Sequence, residues 1–446
     1  MSDQSVFRIS KELSEIQRNP DLSLAVACRD ADVRNVKAMI IGPPDTPYEF
    51  GFFEFTFKFS KDYPRKSPNV TALTTNAGRC RFNPNIYANG KVCLSILGTW
   101  RGERGEEWSA AQGLESILLS IQSLMSSNPY ENEPGYEEAN EPPDKKNQKD
   151  YVQKIRHETL RVTVIIRLEE YLGIATGPLG LLTSTERCNV LEDVELDGLE
   201  DQRVPFEPFK DLCKRRFLWY YDTYLAAAQQ GMSEVPDRQP FARMPFEGSS
   251  NTMEGRFCYS DLVRRLEAIK AALDAETAQW AVEGANAAAQ EETVSVNLKR
   301  QFEQTVEAFK RDGTPHNIEL DNGNPFVWVV TYFGKPMTNL DGGLLRFRLS
   351  MSPHFPHEQP RVRFEKPIFH HRIAADGTPC YVVPPNKRED VRSHLEAVID
   401  AIEEETPPYD PRTLVHPEAH KLYWGSTEDR KMYNRRLRRS VRQSTE

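Results

Sequence analysis

The chain has few cysteines, no long apolar run and no excess of positive charge, and each lack excludes a class of protein. Its 446 residues include seven cysteines, an odd number at scattered spacing. That pattern builds neither a disulfide framework nor a zinc site, so a reducing compartment, cytoplasmic or nuclear, is expected. The stretch nearest to a membrane span, 162–182, is broken by Arg167, Glu169 and Glu170, so no membrane partner is expected. Met1-Ser2-Asp3-Gln4 lacks the basic and apolar regions of a secretory leader. The formal charge of −9 gives no bulk electrostatic reason to bind nucleic acid.

What is present reads as an α+β chain with a repeated plan. Val6, Ile9, Leu13 and Ile16 mark one face of a helix over 5–18. Strands are expected near 22–29, 33–41, 52–59 and 69–74, separated by Gly, Pro and Asp turns. The acidic, proline-bearing stretch 131–150 reads as a loop, and a helical pattern covers 151–172. The next stretch is less legible, with a buried helix around 217–224, a loop over 231–255 and a helix over 259–289. From Val294 the order restarts, with a helix over 296–311 and strands near 316–320, 326–333, 344–350 and 361–365. The organisation expected is therefore 1–172, a helical accessory segment or linker at 173–292, and a second domain at 293–446.

Each copy ends its strands in a cysteine-bearing loop. The first reads Phe82-Asn83-Pro84-Asn85-Ile86, then Asn89-Gly90-Lys91-Val92-Cys93. The second reads Phe369-His370-His371-Arg372-Ile373, then Asp376-Gly377-Thr378-Pro379-Cys380. In both, the cysteine stands eight residues after the motif position, from 85 to 93 and from 372 to 380. Upstream, Tyr63-Pro64 and Pro68 are matched by Phe355-Pro356 and Pro360. The first copy carries five extra residues between turn and cysteine, placed at 74–81. His370 and His371 have no partner at ligand spacing, so no metal is expected, and no cofactor is implied.

With Gly42-Pro43-Pro44, the Tyr63-Pro64 turn, Asn85, Cys93 and Trp108-Ser109, the first copy resembles the ubiquitin-conjugating enzymes. Gly98-Thr99-Trp100, Asn128-Pro129-Tyr130 and Ile155-Arg156-His157-Glu158 are similar to the Z-type members, which carry a helical extension. The resemblance implies two conjugating-type domains, the second degenerate. It implies that Cys93 accepts ubiquitin or a ubiquitin-like protein as a thioester from an activating enzyme and passes it to a substrate lysine. Asn85 is then the oxyanion donor, and Glu133 positions or desolvates the lysine, with Asn132 as the competing assignment. Arg8, Lys11 and Arg18 fall where the family meets its activating enzyme. Trp100 and Trp108 are expected to pack, with Trp108 beside the ligase surface. Arg65 and Ala110 replace the usual apolar residue and proline, which implies a restricted set of ligases. Cys380 matches the catalytic position, but Arg372 replaces the asparagine, so the second domain is expected to position modifier or substrate. Two alternatives stay open: a non-catalytic modifier-binding scaffold, and a double carrier that also uses Cys380.

Overall fold

The computed structural model describes residues 4–19, 21–102, 105–174, 205–248 and 253–445. Helix α1 (Gln4–Arg18) leads into strands β1 (Leu24–Arg29), β2 (Asp32–Ile41), β3 (Phe52–Lys58) and β4 (Asn69–Ala72). These form a four-stranded antiparallel meander in sequence order. One face of the sheet places Ala38, Phe53, Phe55 and Phe57 against Ile9 and Leu13 of α1 and Ile117 and Ile121 of α2 (Leu114–Ser123).

The other face is covered too. Helix α3 (Pro142–Glu158) runs through π-helical turns (Thr159–Ile166) into α4 (Arg167–Leu172). The sequence reading began this helix at 151; its true start is Pro142-Pro143, which need no backbone N–H in a first turn. Its far end crosses behind the sheet, where Met39, Ile41 and Phe52 meet Leu160, Val164 and Leu168. Glu54 lies on that covered face, 3% exposed, paired with Lys37 at 2.9 Å and Arg167 at 3.1 Å.

Helices α5 (Lys210–Glu234) and α6 (Tyr259–Ala289) pack side by side in this second core. At Gly231 a Cβ would come within 2.3 Å of the Tyr259 ring, so only glycine permits this approach. At 31 residues, α6 is about 45 Å long. Its first turns meet the π-helical region, and its last turns support the second sheet: Asn324 donates to the Ala281 carbonyl at 2.8 Å.

The second domain repeats the first. Helix α7 (Thr293–Arg311) precedes β5 (Asn317–Asp321), β6 (Asn324–Phe333), β7 (Leu344–Ser350) and β8 (Arg361–Phe364), again a meander in sequence order. Helices α8 (Val391–Glu403), α9 (Pro417–Trp424) and α10 (Thr427–Gln443) complete it. The middle helices join the two domains through a shared core that also holds Ala374, Cys380 and Val415. Polar contacts reinforce the junction: Asp211 pairs with Arg361 at 2.8 Å, and Lys270 with Asp376 at 3.0 Å. Arg412 reaches Asp21 of the first domain at 3.2 Å. The described part of the middle segment thus packs against both domains. Residues 175–204 of that segment lie outside the described residues.

Candidate active site

The Cys93 loop hangs from the edge of β4. Gly90, at φ +87°, turns the chain, and its carbonyl accepts from Ala72 N at 2.8 Å. A Cβ there would sit 2.7 Å from the Ala72 carbonyl oxygen, so the turn requires glycine. Backbone bonds then set the cysteine against its motif residue, with Cys93 N donating to Asn85 O at 2.8 Å. The Asn85 amide returns the contact, donating to the Cys93 carbonyl at 3.0 Å. In the structure as it stands, that amide braces the loop.

Asn83 is fully buried and organises this brace. Its amide nitrogen donates to Leu124 O at 2.8 Å and Tyr48 Oη at 3.1 Å, and its Oδ1 accepts from Asn85 N at 2.9 Å. Asn83→Ala strands these groups, and we expect a loss of about 1–3 kcal/mol in denaturant unfolding. An unchanged unfolding midpoint would show that another group supports the loop.

Sequence reasoning missed Arg81 and Tyr87. Arg81, buried at the end of the five-residue insertion, donates to Pro84 O at 2.6 Å and pairs with Glu133 at 3.1 Å. Its guanidinium lies 4.6 Å over the Tyr87 ring. Burial raises the Tyr87 phenol, the adjoining Cys93 adds to the rise, and Arg81 opposes it. Burial likewise raises Glu133, against the lowering effect of Arg81. Arg81 therefore links the motif loop, the tyrosine beside the thiol and the acidic residue. The only sequence signal was an arginine closing an insertion. Asn132 is occupied elsewhere, donating to Leu124 O at 2.9 Å.

The residues expected to meet partners gather around α1. Arg8 turns inward to Glu12 and donates to Gln112 O at 3.3 Å. Glu12, itself buried, also accepts from Tyr63 Oη at 2.6 Å and Leu114 N at 2.9 Å. Arg8 is thus part of a structural network, while Lys11 projects outward with Glu15 at 3.7 Å. Arg65 is exposed. Trp108 donates to Pro64 O at 2.7 Å and packs near Tyr63. Trp100, expected to pack, is 46% exposed, because its segment lies outside both sheet faces and α2.

The second copy repeats the loop geometry, and both cysteines are buried, Cys93 at 3% exposed and Cys380 at none. Gly377, at φ +92°, accepts from Phe364 N at 2.9 Å, and Cys380 N donates to Arg372 O at 2.7 Å. His370 Nδ1 accepts from Arg372 N at 3.0 Å, as Asn83 does from Asn85. Cys380 is wholly buried, with Arg372 Nη1 3.9 Å from its sulfur. Burial pushes the thiol up, opposed by Arg372 and by Arg216 of α5. Asp222 of α5 accepts from Ala375 N at 3.2 Å, so the middle helices close over this loop.

A model of the family described as ubiquitin-conjugating enzyme matches residues 8–159 and 297–441. The chain is 38% identical to "Ubiquitin-conjugating enzyme E2 Z" of Homo sapiens over 268 residues, covering 60% of this chain and 63% of that protein. The Danio rerio protein of that name is 38% identical over 269 residues, covering 60% and 69%. "Dual E2 ubiquitin-conjugating enzyme/E3 ubiquitin-protein ligase BIRC6" of Homo sapiens is 42% identical over 142 residues, 31% of this chain and 3% of its own. The chain thus spans less than two thirds of the human Z-type relative's length. With both repeats matched by one family model and the N-terminal loop carrying its motif intact, the chain belongs to the ubiquitin-conjugating enzyme family.

Proposed function

We propose that this chain is a single-carrier ubiquitin-conjugating enzyme whose working thiol is Cys93. The sulfur attacks the modifier's C-terminal carbonyl in the activating-enzyme thioester, and the activating enzyme's thiolate leaves. A substrate lysine amine then attacks the new thioester, and Cys93 departs as thiolate. Asn85 donates to the oxyanion in that step, and the Glu133 carboxylate receives or orients the amine. Ubiquitin or a ubiquitin-like protein, an activating enzyme, a protein substrate and a restricted set of ligases are the partners. The exposed Arg65 supports that restriction. Six free cysteines among the described residues fit a reducing compartment, which we assign as cytoplasm or nucleus.

The observation that carries the single-carrier reading is the motif: it is intact at Cys93, whereas Arg372 replaces the asparagine before Cys380 and Asp222 of α5 bonds that loop. The second domain then acts as a helper in cis. An open cleft of about 640 Å³ between the domains has Leu119 and Tyr409 exposed on its walls, and we place the helper contact there. The test is a charging assay with activating enzyme, ATP and ubiquitin, comparing wild type, Cys93→Ser and Cys380→Ser. We expect a reducible adduct in wild type and Cys380→Ser, and none in Cys93→Ser. A reducible adduct that persists in Cys93→Ser and requires Cys380 would establish the double carrier. No adduct with any tested modifier and activating enzyme would favour the scaffold.

A further inference from the structure

His157 and Glu158, part of the Z-type segment noted above, play no part in the Cys93 reaction. His157 is wholly buried, with the rings of Phe241, Phe257 and Tyr259 around it at centroid distances of 5.4, 5.4 and 4.9 Å. Its Nε2 accepts from Cys258 N at 3.1 Å and lies 3.4 Å from Cys258 Sγ. Because Nε2 accepts, the ring proton sits on Nδ1, which donates to Glu158 Oε1 at 3.0 Å. Glu158 is fixed in turn by two bonds from Arg161, at 2.7 and 2.6 Å. Burial alone would raise Glu158, but Arg161 and His157 overcome it and hold the group at about 2. A nucleophile, a base and a group that orients the base are thus in contact, across a sequence separation of about a hundred residues.

Cys258 is only partly buried, unlike Cys80 and Cys213. It caps the N-terminus of α6 and lines a cavity of about 1100 Å³. The lining holds six arginines and five carboxylates. Arg161 and Arg265 are paired with Glu158 and Glu169, whereas Arg79 and Arg238 are exposed with no ion pair among the described residues. Such a lining suits a small peptide bearing carboxylates and an ammonium group, with a slight excess of negative charge. We propose that Cys258, His157 and Glu158 form a second thiol site, distinct from Cys93, that exchanges with small acidic peptide disulfides.

The step balances without a further oxidant. Cys258 gives its proton to His157 Nε2 as its sulfur attacks one sulfur of the disulfide. The S–S bond breaks, its electron pair leaves on the second sulfur, and that sulfur takes the proton from His157. The products are a mixed disulfide on Cys258 and one free peptide thiol. Burial pushes the resting Cys258 thiol up to about 11, so attack depends on His157 as base and not on a standing thiolate. Protonating Nε2 breaks its bond from Cys258 N, and the bond to Glu158, then charge-assisted, offsets that loss.

The test incubates the native full chain with oxidised glutathione as the acidic disulfide and cystamine as a cationic one, followed by peptide mapping. We expect a mixed disulfide at Cys258 formed about tenfold or more faster than at Cys213, reversible by dithiothreitol, and slower with cystamine. His157→Asn keeps an acceptor for Cys258 N but removes the base, and should slow the exchange about 100-fold. Cys258 as inert as Cys213, or an unchanged rate in a folded His157→Asn variant, overturns the proposal. Should that variant not fold, the exposed pair Arg79→Ala and Arg238→Ala decides the ligand class. Loss of the preference for glutathione supports it, and an unchanged preference overturns it.

Discussion

Asn85→Ala is expected to slow transfer from charged Cys93 to lysine by about 10²–10³-fold, the usual effect of removing an oxyanion donor. The amide that braces the loop donates at 3.0 Å to the carbonyl of Cys93, the residue that bears the reacting sulfur. Formation of the tetrahedral intermediate at the thioester develops negative charge on the carbonyl oxygen, to which an N–H bonds more strongly than in the resting state. Loading from the activating enzyme should fall much less. The opposing reading, a brace alone, makes a different prediction: loading and transfer fall together, and stability drops by about 1 kcal/mol. Asn85→Asp removes the donor from both roles, so the comparison of loading with transfer, and not the substitution, separates the two. Single-turnover discharge to free lysine, measured beside loading and unfolding, distinguishes them. Equal losses in both half-reactions would remove Asn85 from the chemistry.

Much of this arrangement was legible because it is local. The alternation Phe53-Glu54-Phe55-Thr56-Phe57 marks β3, and the Asn-Gly and Asp-Gly pairs mark the turns before the two cysteines. The equal spacing from motif to cysteine predicted equal loops, and the Gly90 and Gly377 turns match bond for bond. What escaped is non-local. Nothing near Arg81 announces Glu133, and nothing near Arg412 announces Asp21, because an ion pair between distant segments leaves no periodicity. Nothing near Glu54 in the alternating strand announces Arg167 of α4, which pairs with it at 3.1 Å. Arg8 read as surface because basic residues on a helix usually are, whereas buried Glu12 pulls it inward. The burial of Cys380 depends on α5, whose role in the junction no local pattern in its sequence shows.

Lys154→Met is expected to cost about 3–5 kcal/mol, because it leaves a buried carboxylate without its partner. Lys154 has no exposed surface, and its ammonium group bonds Glu247 and, at 3.0 Å, the Ala242 carbonyl. Burial lowers the Lys154 pKa, and Glu247 opposes that shift. The pair pins the segment around Phe246 onto the first domain, where that ring meets Tyr130 at 5.3 Å and Tyr151 at 5.5 Å. Arg81 lies 5.9 Å over the same ring, so the pair also supports the residue that links the Cys93 loop to Glu133. Adding Glu247→Gln to Lys154→Met should restore most of the stability, because the unpaired charge is gone. Denaturant unfolding of the two single variants and the double variant gives the coupling directly. If the single variants cost under about 1 kcal/mol, water reaches the pair and the segment is held by Phe246 alone. If the double variant regains stability but charges poorly, the ion pair matters mainly for where it holds Arg81.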